Sequence, residues 1–512
     1  MTENQWIQLL STENQARRLA EYGLRFLQQD EGQPAATVYD KVEQFHRDSV
    51  ACAVSALALR ANAPRVLREE ALRYAGKGDP QGVPCFGSKL PVPPEKAVVA
   101  NCSAVREWDS NGTNFGYNPR TGDVRGEFGH NDYYPVAVAA AQLAGWNGLR
   151  TLKAMICLDE IRGRLAEVFA LRDHKIDHVV HGAIASTVVY GAVLGATVDD
   201  IEAAIGMLVA HYVPFRAIRA GTQLSDSKGA SAALSAEAAV LSMQRAMQGF
   251  VGPRDIFRNP QAIFCLFEPP QQPDSSPFDL SLAIRGDDFA VMGMHFKIGL
   301  YEHQSAGALQ ALIELLTANP ALLETVEDWQ RIQVSLYEPA CSIIADPAKQ
   351  DPQTRQSADH SMVYILSTTL RKALESGCTD WANLMLMPED YDRSNLMNPL
   401  TRRIMQLIQI VHGGPEFDAR YPDGIPSKLD IEHKTLGPVS SQLVMYPEGH
   451  ARNTSGRLDE LLQLKFRKLA AHGVANVDEL YDSLTGLQDA TASDIRALYD
   501  FEITEHPKPV TD

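Results

Sequence analysis

The chain has 512 residues, 45% of them hydrophobic and 22% charged, with a formal net charge of −17. That length exceeds one ordinary hydrophobic core and predicts two domains of a soluble globular protein. The acidic balance, with no run of Lys and Arg, argues against a nucleic-acid partner, and the polar, acidic start M-T-E-N-Q-W-I-Q-L-L argues against a secretory signal, so a cytoplasmic protein is expected.

Residues 1 to about 80 read as helical, with apolar residues such as Leu19, Tyr22, Val38, Val42 and Phe45 at three- and four-residue steps. A Pro- and Gly-rich loop follows from Gly76 to Pro94, and a helix from about Glu95 to Glu107 delivers W-D-S-N-G-T. From Asn114 to Gly129 the composition reads as a long surface loop, closed by G-H-N-D-Y-Y-P. Helices are then expected over Val136–Leu143, Leu152–Ala170, Ile201–Tyr212 and Ala230–Met247. Between them the stretch from Ile176 to Lys228 organises the chain. Its apolar run Gly182–Val198 is nearly long enough for a membrane, yet Gly182, Ser186, Thr187, Tyr190, Gly191 and Gly195 interrupt it, which predicts a buried helix and no membrane partner.

Pro253 to Pro277 is proline-rich and reads as a boundary. Beyond it Ile332, Val334 and Leu336, then Leu429 and Ile431, alternate with polar residues, and Leu443–Tyr446 is a short apolar run. These are strand signals, set among helices at Ala306–Leu316 and Ser361–Leu374. The expected fold class is mainly α: a large all-helical domain from residues 1–284 and 450–512, and a smaller α+β lid domain over 285–449. The tail, Leu458–His472 and Val477–Tyr499, is read as helices packing back on the first part. The seven cysteines, Cys52, Cys85, Cys102, Cys157, Cys265, Cys341 and Cys378, never form C-x-x-C and are expected to be reduced, with no zinc or iron–sulfur signature.

His174, His178 and His181, spaced four and three apart beside Asp173 and Asp177, would share one helix face. That spacing can hold zinc, but without a catalytic Glu between the histidines it also fits a polar helix start or one acid–base histidine. Asp109, Asn111 and Thr113 read alone as a turn after a helix, and His130 follows a glycine at the loop's end. Lys228, just before an Ala/Ser-rich helix, offers an ammonium beside helix N–H groups, a site for a carboxylate or phosphate. F-K-I-G-L puts Lys297, between His295 and His303, on the face opposite Phe296 and Ile298, where it would be solvated. Arg355, Asp359, His360 and Tyr364 read as ordinary surface. No P-loop, G-x-G-x-x-G, H-E-x-x-H or G-x-S-x-G occurs. The remaining equipment is suited to moving protons beside carboxylates.

In order and spacing, D-x-N-x-T at Asp109, G-H at His130, D-H-V-V-x-x-x-I-A-S-T-x-V from Asp177, S-K at Lys228, F-K-I at Lys297, S-A-D-H-S-M-V-Y ending at Tyr364 and Y-P-E-G-H-A-R from Tyr446 resemble the MmgE/PrpD family, above all its 2-methylcitrate dehydratase branch. The resemblance spans about Thr37 to Phe466. It implies a helical domain with an α+β lid, a homodimer, and chemistry on a small polycarboxylate with no metal or organic cofactor: dehydration first, or decarboxylation or epimerisation. A non-catalytic polycarboxylate-binding protein is the remaining alternative. It implies Asp109, Thr113, His130, His178, Lys228, Lys297 and Tyr364 as catalytic positions and Asn111, Lys228, Lys297 and His303 as substrate-binding ones. Within that set the lysines would neutralise charge developing beside ionised carboxylates, and His178 and His130 would serve as base and acid. Asp109 and Thr113 would orient a histidine or the departing hydroxyl, and Tyr364 would donate a hydrogen bond. The chain departs from the family pattern at G-H-N-D, at Gly112 in place of an acidic residue, and at the missing proline after Lys297.

Overall fold

Small apolar residues at helical spacing build the centre of the molecule. In the computed structural model, which describes residues 5–76, 82–120, 122–125, 127, 129–219 and 223–509, every residue of the helix Val179–Val193 is buried. It packs against the helices Gly148–Val168, Val198–His211 and Asp226–Met247. A helix apolar on all sides needs neighbours on all sides, and glycine admits them. A Cβ on Gly182 would stand 2.0 Å from the Tyr133 ring, and one on Gly191 2.5 Å from Met243 Sδ. The helix Val198–His211 begins with a capping box, Thr197 and Asp200 satisfying each other's N–H groups.

Helices dominate the described residues, and the protein is mainly α. The largest sheet has four strands in the order Ile408–His412, Trp329–Leu336, Lys428–His433, Gly437–Ser440. Trp329–Leu336 runs parallel to the first, pairing Ile332 with Ile408, and antiparallel to the third, pairing Ile332 with Ile431. Its buried Ile332, Val334 and Leu336 are the alternation seen in the sequence. The helix Ala306–Ala318 covers Lys428–His433, and the helix Met362–Ser376 packs on Ala306–Ala318.

Several local expectations change. Trp6–Leu9 is a strand rather than helix, antiparallel to Leu280–Ala283, because its hydrogen-bonding partner lies more than 270 residues away. Leu443–Tyr446 forms only the single bridge Ser427–Val444, and Phe296–Leu300 is not a strand; next to it one bridge joins Thr113 and His295. The segment expected as a surface loop folds into two short antiparallel ribbons, Thr113–Asn114 with Gly129–His130 and Tyr117–Asn118 with Asp123–Val124, and buries Phe115 and Glu127. Residues 1–4 of the expected N-terminal helical region, 77–81 of the expected Gly76–Pro94 loop and 121, 126 and 128 of this segment lie outside the described residues.

The tail helix Leu458–Ala470 packs on Ala36–Ala58, where Lys465 Nζ lies 2.7 Å from Asp48 Oδ1 and donates to the Ser110 carbonyl at 2.7 Å. A bent pair, Ala36–Ala58 with Asn62–Leu72, has the length and apolarity of a span, but the first helix buries Glu43, His46 and Asp48 inside the core. No single described helix is long and apolar enough to cross a membrane.

Candidate active site

The helix Pro94–Arg106 ends at a turn that fixes the first carboxylate of the site. Asp109 N–H donates to the Arg106 carbonyl at 3.1 Å, and Asp109 takes φ +51°, left-handed for a non-glycine residue. Two buried cations hold it there. Arg106 Nη1 pairs with Oδ1, and Lys297 Nζ donates both to Oδ1 at 2.5 Å and to the Asp109 carbonyl at 2.8 Å. Burial alone would raise the Asp109 carboxyl, yet Arg106, Lys297 and His360 hold it well below the usual carboxylate range.

A second buried chain runs alongside. Lys228, in the first turn of Asp226–Met247, lies 2.7 Å from Asp359 Oδ1, which is 2.7 Å from His360 Nδ1; His360 Nε2 is 3.2 Å from Asp109 Oδ2. Arg355, anchored on Glu107 and over the Trp108 ring, closes the back. These residues are buried rather than ordinary surface: Arg355 is 3% exposed, Asp359 2% and His360 9%. A charge buried this deeply is sustained by an opposite partner.

In front of this double chain lies a small cavity of about 50 Å³, lined by Arg106, Asp109, His130, His178, Arg216, Arg219, Leu224, Lys228, Glu302, Ile343, Lys349 and His360. Five cations face it against two carboxylates. His178 precedes the helix Val179–Val193, and its ring lies 5.3 Å from that of His130. Its Nδ1 is 3.8 Å from Asp177 Oδ1, and Asp177 is bound in turn by Arg219 Nε at 2.5 Å. Burial, with Arg219 and Arg216, pushes the His178 imidazole well below its ordinary value despite Asp177, so it is neutral at pH 7 and can accept a proton. Burial and Arg106 do the same to His130. Arg106 Nη2 lies 3.5 Å from His130 Nε2, and a guanidinium can only donate, which leaves the His130 proton on Nδ1.

The shared helix face of the three histidines does not form. The helix begins at Val179, so His174 sits in the preceding 3-10 turn Leu171–His174 with Nε2 3.2 Å from Glu268, while His181 Nε2 meets the Phe169 carbonyl at 2.9 Å. Among the described residues, the carboxylate and imidazole donors close enough to share a metal are Asp109, Asp359 and His360. One oxygen of each carboxylate already binds cations, Asp109 Oδ1 holding Arg106 and Lys297 and Asp359 Oδ1 holding Lys228, and Asp109 Oδ2 lies 3.2 Å from His360 Nε2.

Two family models match the chain, the MmgE/PrpD N-terminal domain over residues 18–276 and the MmgE/PrpD C-terminal domain over 301–484. The chain belongs to the MmgE/PrpD family. Similar curated proteins are the 2-methylcitrate dehydratases of Salmonella typhi, 23% identical over 401 residues, and of Escherichia coli strain K12, 22% identical over 396 residues; each alignment covers 76% of this chain and 77% of the relative.

Of the positions the MmgE/PrpD resemblance implies, the cavity brings together Asp109, His130, His178 and Lys228. Lys297 stands behind Asp109, fully buried rather than solvated. Thr113 Oγ1 donates to the Gly129 carbonyl at 3.1 Å, holding the ribbon that presents His130, and Asn111 Nδ2 donates to Asp132 at 2.5 Å. Tyr364 and His303 lie off the cavity. The Tyr364 hydroxyl donates to the Asp390 carbonyl at 2.5 Å, and His303 stacks on His295 at 5.2 Å. Gly112 has a local cause: a Cβ there would stand 2.4 Å from the Phe45 ring. Sequence reasoning passed over Arg106, Arg216, Arg219, Glu302 and Lys349. Arg106 and Glu302 adjoin the motifs that were read, and F-R-A-I-R places two arginines shortly before Lys228, but only the fold turns them toward one space.

Proposed function

We propose that this protein is a hydro-lyase that removes water from a small polycarboxylate such as 2-methylcitrate, using no metal or organic cofactor. The observation that carries the reading is the neutral His178–His130 pair, 5.3 Å apart, inside a cavity whose walls hold more cations than carboxylates. His178, with Asp177 beside it, takes the proton next to a substrate carboxylate. Lys228 and Arg106 stabilise the charge that develops, the His130 Nδ1–H hydrogen-bonds to the departing hydroxyl, and the proton taken by His178 completes that hydroxyl to water. Asp109 fixes Arg106, while Lys297 and Thr113 position Asp109 and His130. The lining residues come from both sides of residue 285, which supports two units, 1–284 with 450–512 and 285–449, meeting at the cavity.

The test is metal-stripped protein incubated with 2-methylcitrate, citrate, cis-aconitate and iminodisuccinate, following alkene absorbance and product mass. Loss of water from a hydroxy acid is the expected result. Exchange of an α-proton with solvent and no alkene would replace dehydration with epimerisation, and carbon dioxide release from cis-aconitate would replace it with decarboxylation.

A further inference from the structure

The cations of the cavity are not equivalent. Arg106, Arg219 and Lys228 are each held by a buried carboxylate, Asp109, Asp177 and Asp359 respectively. Arg216 and Lys349 form no salt bridge with any described residue. Arg216 opens the 3-10 turn Arg216–Arg219; its backbone N–H is fixed on the Lys175 carbonyl at 2.8 Å, and its buried Nη1 has no hydrogen-bond partner. Lys349 ends the turn Pro347–Lys349 and donates to the Ile343 carbonyl. Burial pulls the Lys349 ammonium below its ordinary value and Arg216 pulls it further, against Glu302 and Asp346. Two half-buried like charges that share a cavity with a single carboxyl, Glu302, which burial pushes toward its neutral form, raise the free energy of the protein alone, and an anion placed between them removes that cost.

We propose that Arg216 and Lys349 together grip one carboxylate of the substrate, distinct from the one that Arg106 and Lys228 serve, and so set how many carboxylates the substrate must carry. This rests on the polycarboxylate reading above. Arg106 and Lys228 serve the carboxylate beside the reacting carbon, and a second carboxylate fills the Arg216–Lys349 pair. A compound with a single carboxylate leaves one of the two cationic sites unfilled.

Tricarballylate, which has no hydroxyl to lose, measures these contributions by titration calorimetry. The proteins are the wild type, Arg216→Gln, Lys349→Gln, the double variant and Lys349→Arg. Glutamine keeps a donor for the Ile343 carbonyl while removing the charge, so a lost tether is not mistaken for a lost ion pair. Each single variant should bind tricarballylate about 10- to 50-fold more weakly, the usual weight of one charge pair in recognition. Lys349→Arg should stay near wild type, and the double variant should lose less than the product of the two singles, because both cations act on one carboxylate. Wild-type affinity in Lys349→Gln, or losses that multiply in the double variant, would overturn the shared grip and leave the polycarboxylate reading standing. Folded wild type that does not bind tricarballylate would overturn both.

Discussion

The inner wall and the rim of the cavity are built on opposite electrostatic plans. On the inner wall every cation has its carboxylate: Arg106 and Lys297 on Asp109, Lys228 on Asp359, Arg219 on Asp177. At the rim Arg216 and Lys349 have none, and Glu302 has been pushed toward its neutral form by burial and by Asp109. A compensated wall is rigid and can orient imidazoles before any ligand arrives. An uncompensated rim keeps its attraction for an incoming anion. The difference teaches where to look for chemistry and where for recognition.

The largest expected effect lies on the wall. His178→Asn should lower kcat by about 10²- to 10⁴-fold, the usual weight of a general base, with the thermal unfolding curve nearly unchanged. Steady-state kinetics on the accepted substrate check it, and near-wild-type turnover would remove His178 from the chemistry. Because burial depresses the imidazole, the base stays unprotonated as pH falls through 6.5. The acid limb of kcat/KM should therefore lie below that value, and a limb at 6.5 or higher would contradict the environment described for His178.

Next comes stability, where wall and rim should diverge most visibly. Lys228→Met strands the Asp359 carboxylate and should cost about 3–5 kcal/mol, whereas Lys349→Gln, with no carboxylate to strand, should stay within about 0.5 kcal/mol. Urea unfolding at constant m-value reads both. Adding Asp359→Asn to Lys228→Met should recover part of the loss; equal costs for the two lysines would erase the distinction between the regions.

How far the sequence foretold this plan depends on what each signal measures. Periodicity is local, so the helix before Asp109 was legible as Glu95–Glu107 and is Pro94–Arg106, and the Ile332, Val334, Leu336 alternation gave a real strand. Tertiary pairing is not local. Trp6–Leu9 becomes a strand through Leu280–Ala283, and F-K-I-G-L, alternating as a strand should, pairs with no strand. The site divides in the same way. Asp109, His130, His178 and Lys228 sit in motifs whose order could be recognised, while Arg216, Glu302 and Lys349 carry no local mark that distinguishes them from solvated residues. Charge type alone predicts exposure, and it failed for Lys297 and Asp359 because their partners, Asp109 and Lys228, lie 188 and 131 residues away.

Glu302 offers a smaller, graded effect. Burial raises it to about 7, with Asp109 adding and Lys297, the Gln304 N–H and Lys349 opposing; Tyr337 and Tyr421 also face it. Below that pH it is neutral and leaves Lys349 free to attract an anion; above it the ionised carboxyl repels one. Tricarballylate affinity should therefore fall by several-fold between pH 6 and 8, and Glu302→Gln should flatten that fall. The same shift carries a stability sign. The folded state keeps a proton that the unfolded chain releases near pH 4.5, so the contribution of Glu302 to stability is lost as pH rises through about 7. An unchanged pH dependence in Glu302→Gln would assign the effect to another group.

The smallest effect concerns Tyr364, where family resemblance and geometry give different answers. Resemblance implies a hydroxyl that donates to substrate; here the hydroxyl is spent on the Asp390 carbonyl at 2.5 Å, off the cavity, and the ring lies 5.7 Å from that of Tyr391. A group that does not reach the ligand can act only through packing. Tyr364→Phe keeps the ring and removes one buried hydrogen bond, so it should cost about 1 kcal/mol of stability and leave kcat within about twofold. A hundredfold loss of kcat with unchanged stability would mean that the hydroxyl leaves Asp390 when substrate binds, and that the compensated wall rearranges during turnover.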